Sequence, residues 1–171
     1  MVVKTSTFDN SYAIGEGGAI HAGNVQVLQS SFNNCNSGDF GGAVVIRNGE
    51  AVIEECDFTY CATVNSGGCL YSDHGLNPYN LTVVGSQFDH CSCSRKECIG
   101  GAITVNEGND YFSITDSSIT SSFAASGFGG GIAVVLNNNH GVISDVMISN
   151  TSAHTGGAIY VAGTFMCLLF R

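Results

Sequence analysis

Apolar residues recur along this chain in two short phrases that keep step with each other. The first is a glycine pair followed by a small and then an aliphatic residue. It reads Gly17-Gly18-Ala19-Ile20, then Gly41-Gly42-Ala43-Val44, Gly67-Gly68-Cys69-Leu70, Gly100-Gly101-Ala102-Ile103, Gly129-Gly130-Gly131-Ile132 and Gly156-Gly157-Ala158-Ile159. The second opens on a large apolar residue, at Phe8, Phe32, Phe58, Phe88, Ile119 and Ile148, 8 to 12 residues before each glycine pair. A β-rich run fills each remaining interval, as in Val25 to Leu28, Ala51 to Ile53, Leu81 to Val84, Phe112 to Ile114 and Val142 to Ile143. Successive glycine pairs start 24, 26, 33, 29 and 27 residues apart, the period of a solenoid of stacked units.

Each unit therefore predicts three short strands and three corners, too little chain for a four-stranded propeller blade, and none of it has helical period. A single proline suits strands that donate hydrogen bonds on both sides. The expectation is an all-β chain, a right-handed single-stranded parallel β-helix of about six coils over residues 1–163, with like residues stacked roughly 4.8 Å apart. Handedness rests on coil length, not on periodicity. Residues 164–171 read as an apolar cap or truncation scar, and the chain as part of a longer repeat protein.

Strand alternation then sorts the side chains. If Ile20, Val44, Leu70, Ile103, Ile132 and Ile159 point inward, so do Ala22, Ile46, Ser72, Val105, Val134 and Val161. The columns expected outside are His21, Val45, Tyr71, Thr104, Ala133 and Tyr160, and next to them Gly23, Arg47, Asp73, Asn106, Val135 and Ala162. The uniformly small Ala19, Ala43, Cys69, Ala102, Gly131 and Ala158 form a third. The glycine pairs are expected to supply corners with φ > 0.

Composition narrows the partners. Only 11% of residues are charged, and the formal net charge is −9, so nucleic acid and anionic membrane surfaces are disfavoured and a neutral or basic partner is expected. The apolar run near the end is too short to span a bilayer. Tryptophan is absent, which weakens ring stacking on sugars. Two sequons, Asn80-Leu81-Thr82 and Asn150-Thr151-Ser152, carry little weight by themselves.

The eight cysteines fall into columns. Cys35, Cys61 and Cys91 each follow a ladder phenylalanine by three residues, and neighbours in such a column lie too far apart for easy bonding, so a ladder of buried free thiols is expected. Cys56 aligns with Ser6, Ser30, Ser86 and Ser117. Cys93 and Cys98 bracket Ser94-Arg95-Lys96-Glu97 in the longest corner and are the candidate disulfide in a secreted chain. Their spacing with Cys91 is not that of paired zinc knuckles, and neither metal nor cofactor is called for.

Chemistry on such a surface would need carboxylates converging on one outer face. The best cluster is Asp73-His74-Gly75 with Arg47 one coil below, superficially similar to the glycine-flanked histidine of the polygalacturonases. An exposed Arg47–Asp73 ion pair in a turn is the plainer account, since Gly23 and Asn106 occupy the flanking coils of that column. Arg47, Asp73 and His74 are therefore catalytic only in the alternative reading, a polysaccharide hydrolase or lyase. His21, His90, His140 and His154 read as surface histidines.

The paired phrases, with the Gly-Gly-Ala-Ile form closest at 17, 41, 100 and 156, resemble the repeats of the chlamydial polymorphic outer membrane proteins. The likeness covers Phe8 to Val161. Where that family usually has asparagine in its second phrase, this chain has Cys35, Cys61, Cys91, Ser11, Ser122 and Thr151. The resemblance implies a pectin-lyase-like shape displayed at a cell surface or outside the cell, used for adhesion without catalysis. A host-cell protein or neutral glycan is the expected partner, and the stripe of His21, Tyr71, Tyr160, Arg47 and Asp73 is the candidate patch. A structural spacer within a larger surface protein is the third reading.

Overall fold

The computed structural model describes residues 1–75, 79–163 and 167–170, the side chains of 110 and 167–170 excepted. All its regular structure is β. Each turn of the chain carries four strands, as in Val2–Lys4, Thr7–Asp9, Tyr12–Ala13 and Ile20–Ala22. The corresponding strands of successive turns pair in parallel, building one seven-stranded and three six-stranded sheets. Six rungs enclose five complete turns from first to last, close to the six coils expected. The strand that the sequence pattern misses is the short third one, two residues long at Tyr12–Ala13, Asn36–Ser37, Ala62–Thr63 and Ser92–Cys93. Two residues cannot show a period.

The register is the one alternation predicts. Ile20 pairs with Val44, Val44 with Leu70, Leu70 with Ile103, Ile103 with Ile132 and Ile132 with Ile159. Stacking identical residues one rung apart brings rings face to face. Phe8, Phe32, Phe58 and Phe88 form such a pile, with centroids 4.9, 4.7 and 4.6 Å apart and planes within 4° of parallel. Ile119 and Ile148 continue that column, and Val27, Ile53, Val83, Ile114 and Ile143 fill the first sheet's side of the same core. At the far end, Cys167–Phe170 adds a seventh strand to the first sheet beside His140–Ser144. The rest of the expected apolar tail, residues 164–166 and 171, lies outside the described residues.

Three columns depart from expectation. The small column does not face outward: Ala43, Cys69 and Ala102 are buried and belong to the core. It faces the ladder of large residues, and a Cβ on Gly131 would press on Ile148 and Ile119, so the inner corner itself keeps it small. The second consequence concerns the cysteines. Cys91 is not a free thiol but is joined to Cys69, with Cα atoms 5.5 Å apart, because the small column supplies a partner across the corner that no rung neighbour could. Cys35, Cys56 and Cys61 are free and buried, and Cys93 is disulfide-bonded to Cys98. Third, only the first glycine of each pair needs φ > 0. Gly101, the second of its pair, keeps ordinary φ, yet a Cβ there would collide with the Gly130 carbonyl of the next rung and the Phe123 backbone.

Candidate functional site

The outward side chains of the fourth sheet are mostly not free surface. The residue before each glycine pair stacks into a column of its own, with Phe40 bridged to Ser66, Ser66 to Ile99 and Ile99 to Phe128. This column folds back over the sheet: Phe40 stacks on Tyr71, Phe128 meets Tyr160 at a tilt of 36°, and Thr104 donates from Oγ1 to the Ile99 carbonyl. Val45, Tyr71, Thr104 and Ala133 are consequently buried although they point away from the core.

Arg47 sits where this cover meets the corner. It ends the strand Val44–Arg47, opposite Asp73 at the end of Leu70–Asp73. Its Nη1 donates to Asp73 Oδ2 at 2.7 Å, while Nε and Nη2 grip both oxygens of Glu16, each at 2.7 Å. Glu16 precedes Gly17, so it reaches Arg47 from the covering column one rung below. The guanidinium also lies over the rings of Phe40 and Tyr71, 5.5 and 5.3 Å from their centroids. The cation thus lies against the stacked Phe40–Tyr71 pair and is held there by two carboxylates. The pair expected to be exposed is largely sheltered, with side-chain exposures of 27% for Arg47 and 17% for Asp73.

Electrostatics follow from this packing. The Arg47 hydrogen bonds hold the Glu16 carboxyl below its ordinary range, and burial opposes them without prevailing. The same bonds keep Arg47 charged at any working pH. Burial first, and then the Asp73 charge, push the Tyr71 phenol up; its hydroxyl donates to Asp73 Oδ2 at 3.3 Å.

His74 faces the other way. Strand alternation turns it inward, fully buried, where Nδ1 accepts from the Gly49 N–H at 3.4 Å and Nε2 meets Ser72 Oγ at 3.1 Å. The ring is therefore the Nε2–H tautomer, and the Ser72 hydroxyl passes its own proton to Asn109 Oδ1 at 3.0 Å. Asn109 in turn donates to Asn138 Oδ1 at 3.0 Å, and Asn138 to the Val135 carbonyl at 2.7 Å. The result is a buried polar ladder at one corner of the coil. Burial lowers the His74 pKa.

Of the residues singled out from the sequence, His21, Arg47, Tyr71 and Asp73 are brought together, with His21 Nε2 3.8 Å from Glu16. Tyr160 stays three rungs away, beyond the buried Thr104 and Ala133. His74 is separated from Asp73 by the strand itself. Glu16, the second carboxylate, escapes a search of strand columns because it comes from a corner; its place before a glycine pair was the available signal.

A different face is open. Outward residues of the second sheet form a hydrogen-bonded file: Asn33 donates to Asp9 at 2.7 Å, Thr59 to Asn33 at 3.1 Å and Thr120 to Asp89 at 2.5 Å. Burial would raise the Asp89 pKa, but the Thr120 and His90 bonds outweigh it and lower it. Beside this file runs a corner whose residues all adopt left-handed φ: Asn10, Asn34, Tyr60, His90, Ser121 and Asn150. The exposed Tyr60 ring stacks on His90 at 4.6 Å.

Among the described residues no cluster of three His, Cys, Asp or Glu is placed to hold a metal ion, and no helix is long and apolar enough to cross a membrane. No protein-family model, no curated protein and no solved structure matches the chain.

Proposed function

We propose that this chain is a non-enzymatic display module, exported from the cell, that presents the outer face of its second sheet to an extended partner, a neutral glycan before a host-cell protein. The observation that carries the reading is the strain at Tyr60. A bulky side chain at φ 53° is disfavoured where Asn10 and Asn34 fill the same column at little cost, and no packing in the core repays it. What the conformation does is hold an aromatic ring, stacked on His90, beside a file of hydrogen-bonding groups. Ring plus polar file is the combination that suits a saccharide chain.

The Arg47 cluster supports the same conclusion from the other side. Its one cation is saturated by both carboxylates, and the Glu16 pKa is lowered, the reverse of what a general acid needs. Two disulfides fit an oxidising compartment. The likeness of the repeat phrases to those of the chlamydial polymorphic outer membrane proteins supports surface display on a right-handed, pectin-lyase-like coil.

The test is a glycan array probed with bacterially produced, sugar-free protein, with Tyr60→Asn as the control. Tyr60→Asn keeps the corner, so the fold persists and bound signal drops at least tenfold. Binding unaffected by Tyr60→Asn, or polysaccharide turnover abolished by Asp73→Ala, overturns the proposal.

A further inference from the structure

The first sheet carries a second open feature. Asn80, Tyr111 and His140 occupy one outward column on three consecutive rungs. Tyr111 is 55% exposed and lies flat on His140, centroids 4.7 Å apart and planes 13° from parallel. Its opposite face looks toward the rung of Asn80, and no ring covers it among the described residues. A groove runs along this column, lined by Asn80, Thr82, Tyr111, Ser113 and His140. Asn80 is exposed, and alternation with the buried Leu81 turns it outward at the start of this groove, level with Tyr111. One buried polar atom there, His140 Nδ1, has no hydrogen-bond partner.

Asn80 also heads the sequon Asn80-Leu81-Thr82. We propose that Asn80 is an N-glycosylation site whose first sugar ring takes the vacant place in the stack, lying on the free face of Tyr111. Rung spacing of roughly 4.8 Å is the separation at which a saccharide ring rests on an aromatic one. The transfer balances with one co-reactant, a polyprenyl-diphosphate-linked oligosaccharide. The Asn80 carboxamide nitrogen bonds to the anomeric carbon, the carbon–oxygen bond to diphosphate breaks with its electron pair, and the amide gives up one proton. The second sequon, at Asn150, is an internal contrast, because its column neighbour on the preceding rung is Ser121 rather than a ring.

This inference rests on the export proposed above, so its test supplies export independently. The full chain is led into the secretory pathway of a eukaryotic cell by a fused leader, and its glycans are trimmed to a single N-acetylglucosamine. Peptide mass spectrometry is expected to find the sugar on Asn80, and the protein to melt about 2 to 4 °C above its Asn80→Gln variant, after correction for the same pair made without sugar. Tyr111→Leu should abolish that increment, and loss of the Asn150 sugar should not change it. A secreted chain unmodified at Asn80, or an increment that persists in Tyr111→Leu, overturns the proposal. Neither result bears on glycan binding by the second sheet, which is read on sugar-free protein.

Discussion

At the scale of single residues, the chain solves the same corner in different ways according to what each site must do. Arg47 shows how much a one-rung neighbourhood can gather. Its partners stand 31 and 26 residues away in sequence, yet all three groups meet within hydrogen-bond distance. Replacing it with methionine removes the guanidinium from beside Phe40 and Tyr71 and leaves two sheltered carboxylates without a cation. Arg47→Met is therefore expected to lower stability by about 1–3 kcal/mol, less than for a wholly buried pair, as read from urea midpoints. An unchanged midpoint would mean that the cluster is solvated and interchangeable with ordinary surface.

His74 sets the pH response. Protonating Nδ1 would turn two donors, the imidazolium and the Gly49 N–H, against each other inside the coil. Its folded pKa is lowered from the ordinary 6.5, so its contribution is complete above 6.5 and is lost as pH falls below that value, where the unfolded chain takes up a proton that the folded one refuses. Glu16, also lowered, adds a second loss beginning below its ordinary 4.5. Thermal midpoints should thus decline in two stages on acidification, and His74→Gln should remove the upper stage alone. A flat profile between pH 7.5 and 5 in the native chain contradicts this.

At the scale of strands and corners, the two glycines of each pair answer to different physics. The first tolerates left-handed φ, and the second lets the next coil approach. Gly101→Ala should therefore cost more than about 2 kcal/mol or prevent folding, even though its φ is ordinary, while Gly15→Ala, with open space around its Cβ, should stay within about 0.5 kcal/mol. Equal effects at the two positions would show that the coils are not in close contact.

The same corners explain what could be read from the sequence. The ladders of Ile20 to Ile159 and of Phe8 to Phe88 were legible because each rung repeats the residue type within the same two-phrase pattern, even as rung length ranges from 24 to 33 residues. The two-residue third strand was not, since it has no period, and the Cys69–Cys91 bond was not, because it joins two columns that face each other only after the corner closes. Glu16 and the cover formed by Phe40 and Phe128 stayed hidden for a related reason. Alternation says which way a strand residue points, but nothing about which corner folds back over it. Tyr60, on which the proposed glycan face rests, was not singled out, because its left-handed backbone angle cannot be read from strand alternation.

At the scale of the molecule, a parallel stack gives each sheet a face of its own character. The core is shared, but the fourth sheet is roofed over and locked by Arg47, the second sheet is open and polar, and the first sheet carries the Asn80–Tyr111–His140 column. The formal net charge of −9 on a chain with five Lys and Arg opposes the approach of polyanions to such faces. All of these assignments depend on rung-over-rung register, since a one-residue slip of any strand would exchange its inner and outer side chains. The most direct test is methyl-resolved nuclear Overhauser spectroscopy on the intact chain in solution. The account predicts strong contacts from the Val44 methyls to both Ile20 and Leu70, and from Leu70 to Ile103. Absence of these contacts, or strong ones from Val44 to Tyr71 or His21 in their place, would contradict the register and with it every face described above.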